Sequence, residues 1–462
     1  MIRVNNIHLS LDYDDKSVRK AVAQQLRIEE KSIKSCKIFR RSVDARKKDN
    51  IYFLTTVDAE LNINEEKVCK KCGNAQIARK YEYNQMKFGN APSPVIVGAG
   101  PAGLFAALIL ARSGAKPILI ERGRDVDRRT ADVNRFWTSG QLDATSNVQF
   151  GEGGAGTFSD GKLNSGTKDI RQRKVLEEFV SHGAPDEILY NAKPHIGTDM
   201  LKGTIKNIRN EIIELGGMVM FETKLVSMAF SDNKLKAITV ETANGDEIIE
   251  TSNVILAIGH SARDTFEMLY DLKLPIEAKP FSVGARIEHL RQKVDKAQYG
   301  RFAGDKKLGS ANYKLSTHLD NGRGVYTFCM CPGGKVVNAS SEENRLCTNG
   351  MSEFARDAEN SNSALLVGIN PDDYESDHPL AGMYLQRKLE SKAFVAGGEN
   401  YNAPIQRVDD FLNNRKSTHL GDVKPSIGPN YEFSNLNEIL PEYVCTSMAQ
   451  GIVKMGRRSE EH

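Results

Sequence analysis

The chain has 462 residues, a length that predicts two or three domains rather than one hydrophobic core. Apolar residues make up 40% and charged residues 27% of the sequence, and the formal net charge is +3, so nothing indicates a general attraction to nucleic acid or to acidic membranes. The sequence has no run of about 18 apolar residues and no apolar N-terminal segment, so we expect a soluble, cytoplasmic protein without a membrane partner. Seven cysteines are scattered along the chain, which favours free thiols in a reducing compartment.

Residues 1–90 are predicted to form a small N-terminal module with an α+β fold, because strand-like segments surround a helical one. In the helical segment Val18, Ala21, Val22 and Leu26 recur at helical spacing. A basic patch between two of the strands comprises Lys37, Arg40, Arg41, Arg46, Lys47 and Lys48. A solvated surface is the simpler interpretation of this patch, and a surface for nucleic acid or another partner is the alternative.

A Rossmann-type domain is predicted over residues 91–277, because the pattern there becomes strand, glycine turn, helix and strand. Gly98, Gly100 and Gly103 have the spacing that lets a backbone approach a pyrophosphate and lets a helix pack on its strand. We expect the whole turn to bind a dinucleotide, through Gly98, Ala99, Gly100, Pro101, Ala102 and Gly103.

An acidic residue ends the second strand of this unit. Glu121 lies 23 residues after Gly98, where a carboxylate can accept hydrogen bonds from ribose hydroxyls, and Arg122 follows it as a further predicted contact. A 2′-phosphate would be repelled by this carboxylate, so NADP is disfavoured at the site. The sequence contains one turn of this type, so we expect one tightly held dinucleotide.

A second match to the glycine spacing, at Gly151, Gly153 and Gly156, has no strand before it and no helix-forming run after it, so it is not a Rossmann turn. It belongs to a glycine-rich loop, residues 151–166, that could bring backbone N–H groups to a bulky anion. A mobile surface loop is the alternative. The predicted cofactor contacts in this loop are Gly153, Gly154, Gly156, Thr157 and Ser159.

A later buried strand, residues 254–258, is expected to return to the same sheet. The predicted cofactor contacts at its end are Ala257 and Gly259, unless the glycine only ends the strand. His260 and Arg263 are expected near the cofactor or substrate, although Arg263 could equally pair with Asp264 or Glu267.

Residues 278–440 are predicted to form a substrate or cap domain of strands and loops, with fewer clear helices than the preceding domain, followed by a tail, 441–462, that looks shortened. If Arg286, Glu288 and His289 lie in a strand, the first two face one side and His289 faces the other. Arg286 could then bind a substrate carboxylate or phosphate, and His289 could transfer a proton. A structural Arg–Glu pair beside a surface histidine is the alternative.

Two cysteine pairs carry further hypotheses. Cys329 and Cys331 would face the same side of an extended strand, where a disulfide between them would be strained, so we expect either packing residues or catalytic thiols that line the flavin pocket. Cys69 and Cys72 form half of a zinc ribbon without a second ligand pair, so no metal site is predicted. The two lysines between them would lower a thiol pKa.

Several motifs resemble known proteins. The turn at Gly98, the loop GGAGTFSDGKL and the strand end AIGHSARDTF resemble the two-dinucleotide-binding-fold flavoproteins of the glutathione reductase superfamily. More narrowly, the segments KPFSVGARIEH, FCMCPGGKVV and RDAENSNSALLVG resemble a bacterial family of uncharacterised FAD-dependent, or NAD(FAD)-utilising, dehydrogenases. The likeness runs from RRSVDARKK, residues 40–48, to about residue 440.

The resemblance implies FAD and an α/β fold, in which a Rossmann-type FAD-binding domain carries an inserted mixed α+β/β substrate domain beside the small N-terminal α+β module. It implies an FAD-dependent oxidoreductase acting on an unidentified small molecule, with NAD(P)H as a transient electron donor. An RNA-associated flavoprotein that uses the N-terminal module is one alternative. The other is a shortened, inactive member, because proteins of this family end with a further glycine-rich segment that is not seen after Cys445.

Overall fold

The computed structural model describes residues 1–79, 81–89, 92–167 and 169–460, so the predicted boundary between residues 90 and 91 lies outside the described residues. The strands are β1 (Ile2–Leu9), β2 (Ile33–Asp44), β3 (Tyr52–Leu61), β4 (Ala75–Ile77), β5 (Val95–Val97), β6 (Ile118–Ile120), β7 (Met218–Met220), β8 (Lys224–Ser231), β9 (Lys234–Thr242), β10 (Gly245–Glu250), β11 (Val254–Leu256), β12 (Phe281–Leu290), β13 (Ser316–His318), β14 (Gly324–Cys331), β15 (Lys335–Asn338), β16 (Thr348–Met351), β17 (Asn360–Ile369), β18 (Ala403–Ile405) and β19 (Tyr431–Phe433). The α-helices are α1 (Asp15–Leu26), α2 (Glu65–Lys71), α3 (Pro101–Arg112), α4 (Val126–Ser139), α5 (Gln172–Ser181), α6 (Thr198–Glu214), α7 (Arg263–Asp271), α8 (Arg291–Tyr299), α9 (Ala381–Ala396), α10 (Val408–Leu412) and α11 (Glu442–Glu460).

The N-terminal module is a four-stranded antiparallel sheet in the order β2-β3-β1-β4. Helix α1 connects β1 to β2 and α2 connects β3 to β4, which is the split βαβ arrangement of ferredoxin-like folds. Helix α1 begins where the Asp14 carboxylate accepts the N–H of Ser17 at 2.7 Å, and its buried face carries Val18, Val22 and Leu26. The strands and the helix predicted here are therefore present.

The basic patch of this module is divided between solvent and a contact with the rest of the chain. Lys37 and Arg40 are exposed on β2. Arg41 donates its backbone N–H to Tyr190 O at 2.7 Å, and its guanidinium donates to the Asn191 side chain at 2.9 and 3.1 Å. Part of the patch therefore attaches the module to the adjoining domain, and binding of nucleic acid or another partner to the exposed part stays a prediction.

The predicted Rossmann unit contains a four-stranded parallel sheet in the order β11-β5-β6-β7. Val95 of β5 lies in register with Ile118 of β6 on one side and with Val254 of β11 on the other. The chain passes from β5 to β6 and later returns to the opposite side of β5, so the strand order reverses there. Ligands of such sheets bind outside the carboxyl ends of the strands at this reversal, where Gly98 follows β5.

Two layers cover this sheet and complete a mixed α/β architecture, as the sequence predicted. The antiparallel sheet β10-β9-β8 packs on one face and buries Leu225 and Val240 against Val95. Helices α3, α5 and α6 cover the other face, where Leu108 and Ile208 share a second core. The two cores hold β5 and the turn after it between them.

The C-terminal region contains the antiparallel sheet β12-β17-β14-β13, consistent with the strands predicted there. The region has fewer helical residues than the preceding domain, as predicted, although α9 with 16 residues and α11 with 19 are long. Helix α11 is not a tail: Val444, Met448 and Met455 are buried at helical spacing in the core of this region. Gly451 allows α11 to approach the sheet, since a Cβ there would lie 2.5 Å from a methyl of Val325. None of the helices in the described ranges is both long and apolar enough to span a bilayer.

Substitution of Gly103 by alanine should destabilise the protein. A Cβ at this position would lie 1.8 Å from the carbonyl oxygen of Gly98, so the turn or the helix would have to move. We expect Gly103→Ala to lower the free energy of unfolding by about 1–3 kcal/mol, measured from urea unfolding midpoints.

Gly203→Ala in α6 is the matched control, because Gly203 is exposed and nothing lies within 4 Å of a Cβ built there. Alanine is the better helix former, so this variant should gain about 0.5–1 kcal/mol. Equal midpoints for the two variants would contradict the packing argument.

Candidate functional site

The first glycine turn follows β5 and opens α3. Gly98 has φ +101°, and a Cβ there would lie 2.5 Å from Ala257 O, so this position requires glycine. Gly100 differs, because the nearest atom to a Cβ built on it is the Cα of Gly154 at 3.9 Å. The space outside Gly100 is therefore open. Pro101 occupies the first position of α3, whose first-turn N–H groups lack partners within the helix and point towards that space.

The Glu121 carboxylate connects this turn to the second glycine-rich loop. One oxygen accepts the N–H of Ala99 at 2.8 Å, and the other accepts those of Gly123 at 2.9 Å and Gly151 at 3.0 Å. The side chain is only 6% exposed, so these bonds are shielded from water. A carboxylate offers about four acceptor positions, which leaves one for a ribose hydroxyl, and that predicted contact stays a prediction.

Arg129 holds the second loop from the other side and was missed in the sequence. Its fully buried guanidinium donates to the carbonyl oxygens of Asn147 at 2.8 Å, Val148 at 2.9 Å and Glu152 at 2.6 Å. Burial lowers the pKa of Arg129 to about 10, so it stays charged at neutral pH. The available signal was its place on the apolar face of α4, three residues after the buried Val126.

The second loop is packed into the protein and is not a surface loop. It contains the 3-10 helix Gly154–Phe158, in which Phe158 is 2% exposed. Gly153 donates its N–H to Ala99 O at 2.8 Å, which joins the loop directly to the first turn. Thr157 is fully buried behind the loop and donates its hydroxyl to Glu152 O at 3.1 Å, so it supports the loop rather than facing the open space. Ser159 follows the 3-10 helix and likewise lies outside the cavity wall.

The two glycine-rich segments line a cavity of about 580 Å³. Of the residues predicted to bind the cofactor, those that line it are Gly98, Gly100, Pro101, Ala102, Glu121, Arg122, Gly154, Gly156, Ala257 and Gly259. Ala99, Gly103 and Gly153 lie beneath this wall and hold it in place through the contacts described above. The predicted turn, loop and strand end therefore converge on one space.

Arg122 lies on the wall of this cavity but is already paired. Its guanidinium donates to the Asp264 carboxylate at 2.8 Å and to the Thr265 hydroxyl at 3.0 Å, and it lies 4.5 Å from the centre of the Phe150 ring. Lys224 also pairs with Asp264 at 2.8 Å. Burial opposes ionisation of this carboxyl, but hydrogen bonds and charge from Arg122 and Lys224 outweigh it and hold the pKa of Asp264 well below its usual range. Arg122 is thus oriented by the protein itself.

Arg263 does not pair with either acid predicted for it. Its guanidinium, 6% exposed, donates to Glu342 and Glu390, while Asp264 pairs with Arg122 and Glu267 pairs with Arg387. Both partners of Arg263 lie far along the chain, so their pairing could not be read from local spacing. The network fixes the start of α7 against α9 and the segment that contains Glu342.

A second cavity, of about 750 Å³, adjoins the first. Gln149, Ala155 and His260 line both. Gln149 is fixed at this junction: it donates to Ala339 O at 2.5 Å and accepts the Ser261 hydroxyl. Burial and the nearby Arg263 charge lower the pKa of His260, so its imidazole is neutral at neutral pH. A ligand in the first cavity can therefore extend past these side chains into the second.

Arg286 and Glu288 line the larger cavity and point as the alternation predicted, but they do not pair with each other. Arg286 donates to the Asn362 side chain at 2.8 Å and to Cys329 O at 2.9 Å. Glu288 accepts the backbone N–H and the hydroxyl of Ser426. The alternative of a structural Arg–Glu pair is therefore wrong.

His289 faces the opposite side of β12, as predicted, but it is not a surface histidine. Its Nε2 lies 2.8 Å from the hydroxyl of Tyr313, and burial lowers the pKa of the imidazole. It lies outside the walls of both cavities, and proton transfer by His289 stays a prediction.

Cys329 and Cys331 do not lie in a regular extended strand, because the register of β14 against β17 shifts between Phe328 and Cys331.

Cys69 lies in α2, and burial followed by the charge of Glu65 raises its thiol pKa. The predicted lowering by the neighbouring lysines is therefore wrong for Cys69.

A parallel sheet that reverses its strand order at a glycine turn, beside a cavity lined by that turn, defines a dinucleotide-binding protein. Comparison with known families specifies the dinucleotide. Residues 93–132 match an FAD binding domain, residues 280–462 match the model described as FAD-dependent protein, C-terminal domain-like, and residues 1–60 match a domain of unknown function. An uncharacterized protein of Clostridium beijerinckii is 47% identical over 463 residues, which are 99% of this chain and 86% of that protein. The chain belongs with this relative to a family of FAD-dependent proteins, and FAD is its cofactor.

Solved structures with similarity include a flavoprotein/dehydrogenase from Cytophaga hutchinsonii, at 12% identity over 65% of this chain and 62% of that one, with a TM-score of 0.30. The flavin-dependent halogenase CmlS is 15% identical over 68% of this chain and 46% of that one, with a TM-score of 0.33. The chain therefore spans less than two thirds of the length of either structure.

Glu121→Gln should weaken FAD binding and lower stability together. The amide has one acceptor oxygen and a donor nitrogen in place of two acceptor oxygens, so at least one buried backbone N–H around it loses its partner. We expect a cost of about 1–3 kcal/mol, or about tenfold or more in the FAD dissociation constant, measured by flavin fluorescence titration. Glu250→Gln, at an exposed position on β10, should leave both quantities unchanged; an equal effect of the two substitutions would contradict this role.

Glu342 should make stability depend on acid pH. Burial favours its neutral form, but hydrogen bonds from Arg387, Arg263 and Arg345 outweigh burial and lower the pKa of Glu342 to about 2, from 4.5. Because the folded-state pKa is depressed, the stabilisation is present above about pH 4.5 and is lost as the pH falls towards 2. Glu342→Gln should therefore cost about 3 kcal/mol near pH 7 and much less near pH 3, measured by urea unfolding.

The neighbouring Glu343 is exposed, so Glu343→Gln is the control and should leave the pH profile as in the parent protein. A cost of Glu342→Gln that is the same at both pH values would show that the carboxylate charge does not carry the effect.

Proposed function

We propose that the protein is an FAD-dependent oxidoreductase that acts on a small organic substrate held in the larger cavity. The observation that carries the proposal is the junction at Gln149, Ala155 and His260, where the glycine-lined cavity meets the larger one. A cofactor bound by its diphosphate at the first turn could present its reactive end at this junction. Assignment to the dehydrogenase-like branch of the glutathione reductase superfamily, with the substrate domain as an insertion, belongs to the same proposal.

The residues of the first cavity fit FAD. Gly100 leaves room for a diphosphate, the N-terminus of α3 supplies N–H groups for its oxygens, and Glu121 retains an acceptor position for ribose. Arg122 adds positive charge at the wall while Asp264 holds it in place. Bound FAD supplies two-electron redox chemistry. The protein contributes the position of the cofactor and the orientation of the substrate.

The larger cavity combines apolar walls with a few polar groups, as small-molecule sites do. Its apolar walls include Leu366 and Met448. Arg286, oriented by its bonds to Asn362 and Cys329 O, is placed to bind a carboxylate or phosphate of the substrate. His260 is neutral and lies at the junction, so it can accept a proton released in the redox step.

NAD(P)H is proposed as an electron donor that binds transiently from solution. In the described residues one parallel sheet carries a Rossmann turn, and that turn faces the FAD cavity. NAD(P)H and the substrate would then bind in the larger cavity one after the other.

The first test is the visible absorption spectrum of the purified protein, with the cofactor released by heat identified by mass. We expect FAD at about one per chain and loss of the yellow colour when NADH or NADPH is added without oxygen. Bound FAD that neither nicotinamide cofactor nor dithionite reduces would overturn the oxidoreductase proposal. Reduction by dithionite alone would overturn the choice of donor.

Gly100→Val separates the cofactor site from the fold. A Cβ built on Gly100 meets no protein atom closer than 3.9 Å, so we expect the substitution to change the unfolding temperature of the FAD-free protein little while it fills the space for the diphosphate. We expect FAD affinity to fall at least about 100-fold, since a blocked anion site loses several charge-assisted hydrogen bonds. Gly203→Val, remote in α6 and open on its outer side, serves as the control for an added side chain. Unchanged FAD binding by Gly100→Val would contradict the site.

A further inference from the structure

A bulge in β14 brings two thiols to one point outside the walls of the two cavities. The register between β14 and β17 shifts between Phe328 and Cys331, and Cys329 adopts φ +47°, in the left-handed region. This backbone conformation costs an L-residue free energy, so it persists only where the surrounding structure holds it. The bulge directs the Cys329 and Cys331 sulfurs towards Lys162, which lies in the glycine-rich loop.

Positive charge surrounds these sulfurs. The Lys162 ammonium lies 3.9 Å from the sulfur of Cys329 and 3.7 Å from that of Cys331. Arg286 on β12 lies 3.8 Å from the Cys331 sulfur. The opposing charge is Asp160, 3.0 Å from Lys162, and that carboxylate is also bound by Arg356. Two cations therefore face the thiols, while the one facing acid is neutralised by a separate arginine.

The two thiols ionise unequally. A hydrogen bond from the Cys331 thiol lowers the pKa of Cys329, and the charges of Lys162 and Arg286 lower it further, against the effects of burial and Asp160. The same hydrogen bond and burial raise the pKa of Cys331 well above its ordinary value. Of the two sulfurs, Cys329 is therefore the one whose ionised form the surroundings favour.

Cys329 differs from Cys331 in access to solvent and from Cys36, Cys347 and Cys445 in the direction of its pKa shift. It is half-buried, whereas Cys331 is fully buried. Burial raises the thiol pKa of Cys36, Cys347 and Cys445. A thiolate that solvent can reach is the species that oxidants and alkylating agents attack.

We propose that Cys329 is a modification site at which hydroperoxides oxidise the thiolate to a sulfenic acid. The sulfur attacks one peroxide oxygen, an S–O bond forms and the O–O bond breaks. Sulfur gives up two electrons, and the departing hydroxide or alkoxide takes a proton from water. Lys162 stabilises the attacking thiolate, and Cys331 is a positioning residue that donates a hydrogen bond to it. The inference does not rest on the proposed flavin reaction.

The thiolate is tested first by alkylation with iodoacetamide, with each cysteine-containing peptide quantified by mass spectrometry across pH. We expect Cys329 to react with a midpoint at least about two pH units below 8.5, and far faster at pH 7 than Cys36 in the same sample. A midpoint at or above 8.5, or equal rates at the two cysteines, would overturn the proposal. This measurement uses the parent protein alone, so it does not depend on the folding of a variant.

Paired variants then distinguish the effect of the Lys162 charge on the alkylation midpoint of Cys329 from the effect of the Cys331 hydrogen bond. Lys162→Met should raise the midpoint by about one unit and slow alkylation at pH 7 about tenfold, whereas Lys162→Arg should preserve both. Cys331→Ser keeps a hydrogen-bond donor and should preserve the midpoint, whereas Cys331→Ala should raise it. If both members of each pair behave alike, the assigned roles of Lys162 and Cys331 are wrong.

The oxidation itself is tested with hydrogen peroxide in the presence of dimedone, which traps sulfenic acids. We expect a dimedone adduct on Cys329 in the parent protein and in Cys331→Ser, and none in Cys329→Ser. An adduct spread evenly over the cysteines, or no adduct on Cys329, would overturn the proposal. A failure of FAD binding in the earlier experiments would leave these outcomes unchanged, so the two proposals fail separately.

Discussion

The geometry of the cofactor site depends on one buried carboxylate. Glu121 accepts backbone N–H groups from Ala99, Gly123 and Gly151, and so joins three chain segments that glycine alone would leave free to separate. A buried carboxylate that has all its donors in place is stabilising, whereas the same group with donors missing is costly. Arg129 binds the start of the same loop by donating to the carbonyl oxygens of Gly151 at 3.3 Å and Glu152 at 2.6 Å. The glycine-rich loop is therefore held against the cavity by two charged side chains: Glu121 accepts the backbone N–H of Gly151, and Arg129 donates to the backbone carbonyls of the loop.

The first turn could be read from the sequence because its requirements are local. Gly103 must be glycine because of Gly98 O five residues earlier, and Gly98 has a positive φ of its own, so the spacing encodes both even though Gly98 also meets Ala257 after β11. The direction in which Thr157 points could not be read, since it depends on the carbonyl of Glu152 and on Thr198 from α6. Local pattern thus predicts which segments approach the cofactor better than it predicts which side chains face it.

Ion pairs over long sequence separations were the main source of error. Arg263 was matched with acids one and four residues away, yet it binds Glu342 and Glu390. A buried charged side chain needs an oppositely charged partner that also forms hydrogen bonds with it. Such a partner can lie far away in the sequence, so local spacing does not reveal it. The α11 helix was missed for a different reason, because its apolar residues do have helical spacing and the expectation of a tail overrode that pattern.

The attachment of the N-terminal module has a mechanical consequence. Arg41 bonds through its main chain to Tyr190 and Ala192 as well as through its guanidinium to Asn191, so an isolated β-bridge and a side chain together join the module to the adjoining domain. A joint of this kind resists rotation about the chain that connects the two parts. We therefore expect the module to keep one orientation against the adjoining domain. A molecule bound at its exposed Lys37 and Arg40 would then lie at a fixed distance from the FAD cavity.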